Sequence, residues 1–326
     1  MKKLLSTFWS LTIACSVFAQ QIEQFTLVRE NAVALNPAMV GAKGFLAGTV
    51  TYRKQYTNLN QSPYTTFVQM EGQVEDKNIG LGASFIHDQT GPTGKTGVTL
   101  AAAYQIRFNK HELLSEDNVH FNNENRHMLC IGLSVSLMQH RLNATLLHPE
   151  MQNDPELYTS HAYSLLPDAS FGIYYQWKQH LYASLSVPQL VGININYKGR
   201  DGESNIKKVQ HLNFMIGGKI NIKEHKFSID PVGAIRWVNN APPQGDIGLR
   251  LTFLDALWIG AGYRTMHAAI FDAGIELKST IRLCYAYDLE VTPYRQDIGG
   301  THEITLAFRF NKDNLRDKKW LAGLEY

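Results

Sequence analysis

From Gly44 onward the chain keeps returning to one pattern: a large apolar residue at every second position, with a small or charged residue between. In residues 283–289, Leu283, Tyr285, Tyr287 and Leu289 alternate with Cys284, Ala286 and Asp288. In residues 304–310, Ile304, Leu306, Phe308 and Phe310 alternate with Thr305, Ala307 and Arg309. A period of two places alternate side chains on opposite faces of a strand. Fourteen such segments run from GFLAGTVTYRK at 44–54 to HEITLAFRF at 302–310, so the chain reads as all-β.

The composition of the two faces decides which kind of β protein this is. In VTLAAAYQIRF, Val98, Leu100, Ala102, Tyr104, Ile106 and Phe108 share one side, and Thr99, Ala101, Ala103, Gln105 and Arg107 the other. In ALWIGAGYR, Leu257, Ile259, Ala261 and Tyr263 oppose Trp258, Gly260, Gly262 and Arg264. A soluble sandwich also alternates, but its solvent face is usually rich in Lys, Glu and Thr rather than Gly, Ala and Ser. Bulk toward lipid and small or charged residues toward a lumen fits better. Beyond the N-terminus no apolar run reaches the length of about 18 residues that a spanning helix needs. A chain that crosses a membrane without such helices must close its strands into a barrel. The expected fold is therefore an all-β transmembrane outer-membrane β-barrel of about 14 antiparallel strands, an even number.

The links agree. Those at 75–78, 178–179, near Lys223, at Asp255 and near Lys278 are very short, while 57–63, 88–94, 142–168, 188–209 and 290–300 are longer. Short turns at one end and long loops at the other are the habit of bacterial outer-membrane barrels. The stretch 109–126 is the exception, long where a short turn is expected. Residues 1–19, with Lys2, Lys3, an apolar stretch and Val17 and Ala19 before Gln20, read as a secretory signal. A lipid anchor through Cys15 fits less well, because Thr12 stands where Leu is normally found. The expected division is a signal peptide at 1–19, a segment with a short helix at 20–43, the barrel at 44–310 and a periplasmic tail at 311–326.

Charge and cysteines narrow the function. With 31 Lys and Arg against 29 Asp and Glu, nothing points to nucleic acid. Once the signal is removed, Cys130 and Cys284 remain on distant inward faces, expected as free thiols. There is no HExxH, no GxSxG and no phosphate loop after GPTG at 91–94, and the 12 histidines lack metal-ligand spacing. His87 with Asp88 and His302 with Glu303 sit at strand ends, where solvated polar residues are expected. No catalytic residue, cofactor or metal is expected.

A set of motifs resembles the PorP/SprF-like outer-membrane proteins of type IX secretion and gliding motility in Bacteroidetes. They are LNPAMVGAKG at 35–44, YRKQY at 52–56 with SPYTTF after it, and NIGLGASFIHDQTGPTGKTG at 78–97. FGIYYQWKQHLYASLSVPQL at 171–190, LWIGAGYRT at 257–265, and LCYAYD with GGTHEITLAFRF complete the set. The resemblance implies a non-enzymatic partner-binding component that helps export or anchor a secreted, adhesin-like cargo protein through its C-terminal sorting domain. It also implies other components of the type IX machinery as partners, besides membrane lipids. Carried onto these motifs and loops, the partner-binding positions would be Asn36, Pro37, Gly41, Tyr52, Arg53, Pro63, Asp88, Gly91, Pro92, Pro188, Tyr263, Arg264, Asp288, His302 and Glu303. The tail after Phe310 departs from barrels that end at an aromatic residue; it is expected either to touch a periplasmic partner or to be a disordered basic tail. The alternative is a passive porin, because fourteen strands enclose a wide lumen. Such a lumen is either open or plugged, by residues 20–43, by the long loops or by an exported partner.

Overall fold

A computed structural model describes residues 22–74, 77–108, 127–143, 146, 161–178, 180–198, 203–206, 209–223, 227–239, 241–277, 280–293 and 295–310. The signal segment, the link at 109–126 and the tail at 311–326 lie outside the described residues.

The strands in chain order are β1 (Leu46–Lys54), β2 (Tyr64–Gln73), β3 (Ile79–Thr90), β4 (Thr93–Phe108), β5 (His127–Asn143) and β6 (His161–Trp177). They continue with β7 (Leu181–Val187), β8 (Ile195–Lys198), β9 (Glu203–Ile206), β10 (His211–Gly218), β11 (Ile220–Lys223) and β12 (Phe227–Val238). The series ends with β13 (Gln244–Phe253), β14 (Leu257–Arg264), β15 (Ala268–Leu277), β16 (Ile281–Glu290) and β17 (Thr301–Phe310). Each barrel strand pairs antiparallel with its neighbours, and β1 closes on β17 from Leu46↔Phe310 to Lys54↔His302. The strands β8 and β9 form a separate hairpin, and β11 prolongs β10 past Lys219, so the described residues form a closed barrel of fourteen strands. Closure leaves no sheet edge at the seam.

The faces fall as the alternation requires. In β16, Leu283 and Tyr285 are exposed on the outside, whereas Cys284, Ala286 and Asp288 are buried inside. Aromatic residues gather at both ends of the outer surface, as a membrane-spanning barrel requires. Tyr52, Tyr64, Tyr263 and Tyr285 stand at the long-loop end, and Tyr104, Phe108, Tyr175 and Trp177 at the other.

Two expected loops are partly strand. The link at 88–94 shrinks to the turn Gly91–Pro92, since β3 runs to Thr90 and pairs it with Thr93. Gly91 has φ +54, which a two-residue hairpin with glycine first demands. Within 142–168, β6 starts at His161 and runs through Pro167. The Ala169 carbonyl accepts from Leu190 N on the β7 side, so Pro167 turns its missing N–H the same way. There β7 no longer pairs with β6, their ladder ending at Phe171↔Val187, and an edge position tolerates proline. The result is that β4, β5 and β6, of 16, 17 and 17 residues, exceed the 9–11 a tilted strand needs to cross the membrane. They carry the sheet beyond the rim at the long-loop end, where Ile195 of β8 packs on Leu166.

The segment before β1 is inside the barrel. It contains α1 (Ala32–Leu35) and a single 3-10 turn, Pro37–Met39, capped by Asn36, whose side chain accepts from Ala38 N at 2.8 Å. Its outer end lies at the long-loop mouth: Glu23 pairs with Lys95 near the start of β4, and the Gln24 amide donates to Gln244 at the start of β13 at 2.7 Å. Its inner end reaches the short-turn side, where Arg309 lies 5.6 Å from the centre of the Phe45 ring. The segment thus threads the lumen from one mouth to the other and then turns back as β1.

Candidate functional site

The lumen is filled, and two different kinds of contact hold its filling. The outer limb, residues 22–31, is held by charge. Arg53 reaches Asp288 and Glu303, each at 2.9 Å, and Arg264 reaches Asp288 at 2.8 Å and Asp246 at 3.2 Å. The limb enters this cluster through its backbone: Thr26 N donates to Glu303 at 2.7 Å and Leu27 N at 3.1 Å, while the Thr26 hydroxyl donates to Asp288 at 2.8 Å. One turn further in, Glu30 pairs with Arg250 at 2.8 Å, and Arg250 also meets Asp272 at 2.9 Å. Arg250 and Arg282 lie 5.0 Å and 4.7 Å from the Trp258 ring centre, both within cation–π range. All of these charges are buried or nearly so, and burial away from water makes pairing obligatory.

The inner limb, residues 36–43, is held by close packing. The Asn36 amide donates to the carbonyls of Ile173 and Leu185 at 3.0 and 3.2 Å, fixing the limb to β6 and β7. Gly41, at φ +68, donates its N–H to Glu71 at 3.0 Å and accepts from the Gln105 amide at 2.9 Å. The wall is stripped of side chains where the limb passes. A methyl on Gly80 would overlap the Val40 carbonyl, one on Gly132 the backbone of Ala38, and one on Gly172 the Asn36 side chain. Lys43 pairs with Glu71 at 2.8 Å.

Two cavities lie beside the outer end of the segment. One of about 120 Å³ lies between Ile22, Phe25 and Leu35 and a wall that includes Met138, Asp168 and Pro188. Another, of about 220 Å³, lies between Ile22, Gln24 and residues that include His211, Pro243 and His267.

Against this geometry the fifteen expected partner positions divide into three groups. Arg53, Asp288 and Glu303 converge on Thr26, Arg264 joins them through Asp288, and Asn36, Pro37 and Gly41 belong to the segment itself, so these seven are engaged within the chain. Tyr52, Tyr263 and His302 face outward on the rim, with the Tyr285 hydroxyl 2.7 Å from His302 Nδ1. Pro63, Asp88, Gly91, Pro92 and Pro188 lie at the long-loop end, where Asp88 accepts from the Thr65 hydroxyl and the Pro63 carbonyl from Gln55 N. His87 and Asp88 point to opposite faces, as do His302 and Glu303, so neither adjacent pair forms one site.

The family model described as type IX secretion system membrane protein PorP/SprF matches residues 17–308. The chain belongs to the PorP/SprF family. No curated protein matches it. Among solved structures, a FadL homologue of Pseudomonas aeruginosa is similar at 10% identity and TM-score 0.46, over 85% of this chain and 93% of that one. The CymD monoaromatic hydrocarbon channel is similar at 10% and TM-score 0.47, over 86% and 93%. The KdgM porin is similar at 9% and TM-score 0.37, over 81% and 99%.

Glu30, Arg250, Asp272 and Trp258 were missed as members of the site of this PorP/SprF barrel. A signal was present: Arg250 in GLRLTF and Asp272 in IFDAG are charges at inward positions of strands, and each needs a counter-charge in a lumen shut off from water.

Proposed function

We propose that this outer-membrane barrel of the type IX secretion system is a non-enzymatic docking component that binds a secreted, adhesin-like cargo protein and holds it at the cell surface. The observation that carries the reading is the filled lumen. Residues 22–45 cross it end to end, bonded to β1, β2, β4, β6, β7, β13, β16 and β17, which argues against passive solute passage. What remains available to a large partner is the long-loop end, with the protruding β4–β6 sheet, the β8–β9 hairpin and the two cavities beside Ile22.

The test is gentle detergent extraction of the outer membrane and purification through a tag in a loop at the long-loop end. A secreted protein with a C-terminal sorting domain, present in stoichiometric amount, is the expected companion. A lone barrel that conducts ions steadily in a planar bilayer would return the porin reading.

A further inference from the structure

One line of register crosses the barrel's outer surface at the long-loop end. It runs Tyr287↔His302, His302↔Lys54, Lys54↔Tyr64, Tyr64↔Gln89, Gln89↔Gly94 and Gly94↔Arg141, spanning seven adjacent strands from β16 to β5. All of these positions face away from the lumen. The cation Lys54 is set directly across from His302, an arrangement that is unfavourable when both carry charge. Lys54 is exposed and has no hydrogen bond or ion pair with any described residue. His302 uses Nδ1 on the Tyr285 hydroxyl and leaves Nε2 without a partner among the described residues. Arg141 crosses the bare Gly94 to donate Nη2 to Gln89 at 2.6 Å, and its other guanidinium nitrogens have no hydrogen bond with a described residue. No carboxylate occupies an outward position on β16, β17, β1, β2 or β3 among the described residues. The row therefore lacks its anion.

We propose that this row is a binding site for the phosphates of an outer-leaflet glycolipid of the lipid A type, one at Lys54 and another at Arg141, which stand four strands apart. Tyrosines at the rim place the row at headgroup depth, and the long-loop end is the outer one. Lys54 supplies a point charge and Arg141 a planar fork, the two modes by which phosphate is held. Between them stand the Tyr64 hydroxyl, 3.3 Å from His87 Nε2, and the Gln89 amide, which donates to the Gly91 carbonyl at 2.7 Å and accepts from Arg141. At the short-turn side, by contrast, Lys219 is paired with Asp255 at 3.2 Å. The site is separate from the plugged lumen and does not depend on the cargo reading.

The test uses the full-length barrel in mild detergent, with bound lipid counted by native mass spectrometry after addition of lipid A, dephosphorylated lipid A or phosphatidylethanolamine. Lipid A should be retained, and the other two lost at the same concentration. The double variant K54Q/R141Q should weaken lipid A binding at least about tenfold, taking one lost charged contact at a minimum of 1.4 kcal/mol. K219Q should bind as the unaltered chain does, and heat-modifiable migration confirms that each variant is folded. Equal retention of the dephosphorylated lipid, or unchanged binding by folded K54Q/R141Q, would overturn the proposal.

Discussion

Arg53 and Glu303 stand opposite one another across the seam that joins the first barrel strand to the last, and their 2.9 Å ion pair also receives the outer limb of the plug. Barrel closure and lumen filling are thereby one structure. Arg53→Ala would leave Glu303 without its guanidinium and Asp288 with only Arg264. Removing one partner of a buried pair costs about 3–5 kcal/mol. The unfolding midpoint in detergent should fall accordingly, with Arg53→Lys recovering part of the loss; an unchanged midpoint would show that the cluster is not a clamp.

The inner limb should be sensitive to a single methyl. Gly80→Ala forces the added carbon into the Val40 carbonyl, whereas at Gly233 the nearest atom is 3.6 Å away. Overpacking of this kind costs about 1–3 kcal/mol. Thermal melts should separate the two variants, the first losing stability and the second almost none. Equal melting temperatures would mean that the limb does not press on β3.

Lipid exposure should follow depth. Leu306 lies outward midway along β17, and Phe310 at its short-turn end. Leu306→Arg should cost about 2–4 kcal/mol and Phe310→Arg only about 0–1. Folding titrations into bilayers give both numbers, and the reverse order would invert the assigned position of the membrane.

The two free thiols report on the plug. Cys284 packs with Leu27 and Trp258, and Cys130 lies in the cluster that includes Val28, Ala38 and Met39. Both should resist a water-soluble maleimide in the folded chain and react once residues 22–43 are deleted. Labelling of the intact barrel at the same rate as the deletion would show that the plug is not seated.

The barrel was legible because its signal is local: Leu283 and Cys284 declare their faces without reference to anything distant. Fourteen strands and their inward and outward residues follow from that rule alone. Strand ends were harder. Pro167 looks like a breaker until β7 is seen to stop pairing at Val187, which makes its position an edge. The plug was harder still. Nothing within residues 22–43 says that Glu30 meets Arg250, 220 positions away, or that Gly80, Gly132 and Gly172 are bare because a backbone passes over them. Family motifs drew attention to Arg53, Arg264, Asp288 and Glu303, but Thr26, which touches Arg53, Asp288 and Glu303, emerges only in three dimensions.

The most direct test of the account is single-channel recording from the purified full-length barrel beside a variant lacking residues 22–43. A lumen closed by its own N-terminal segment predicts an electrically silent intact barrel and stable open steps from the deletion. Stable open steps of the same size from both would contradict it, and with it the view that this protein works by docking a partner rather than by conducting solutes.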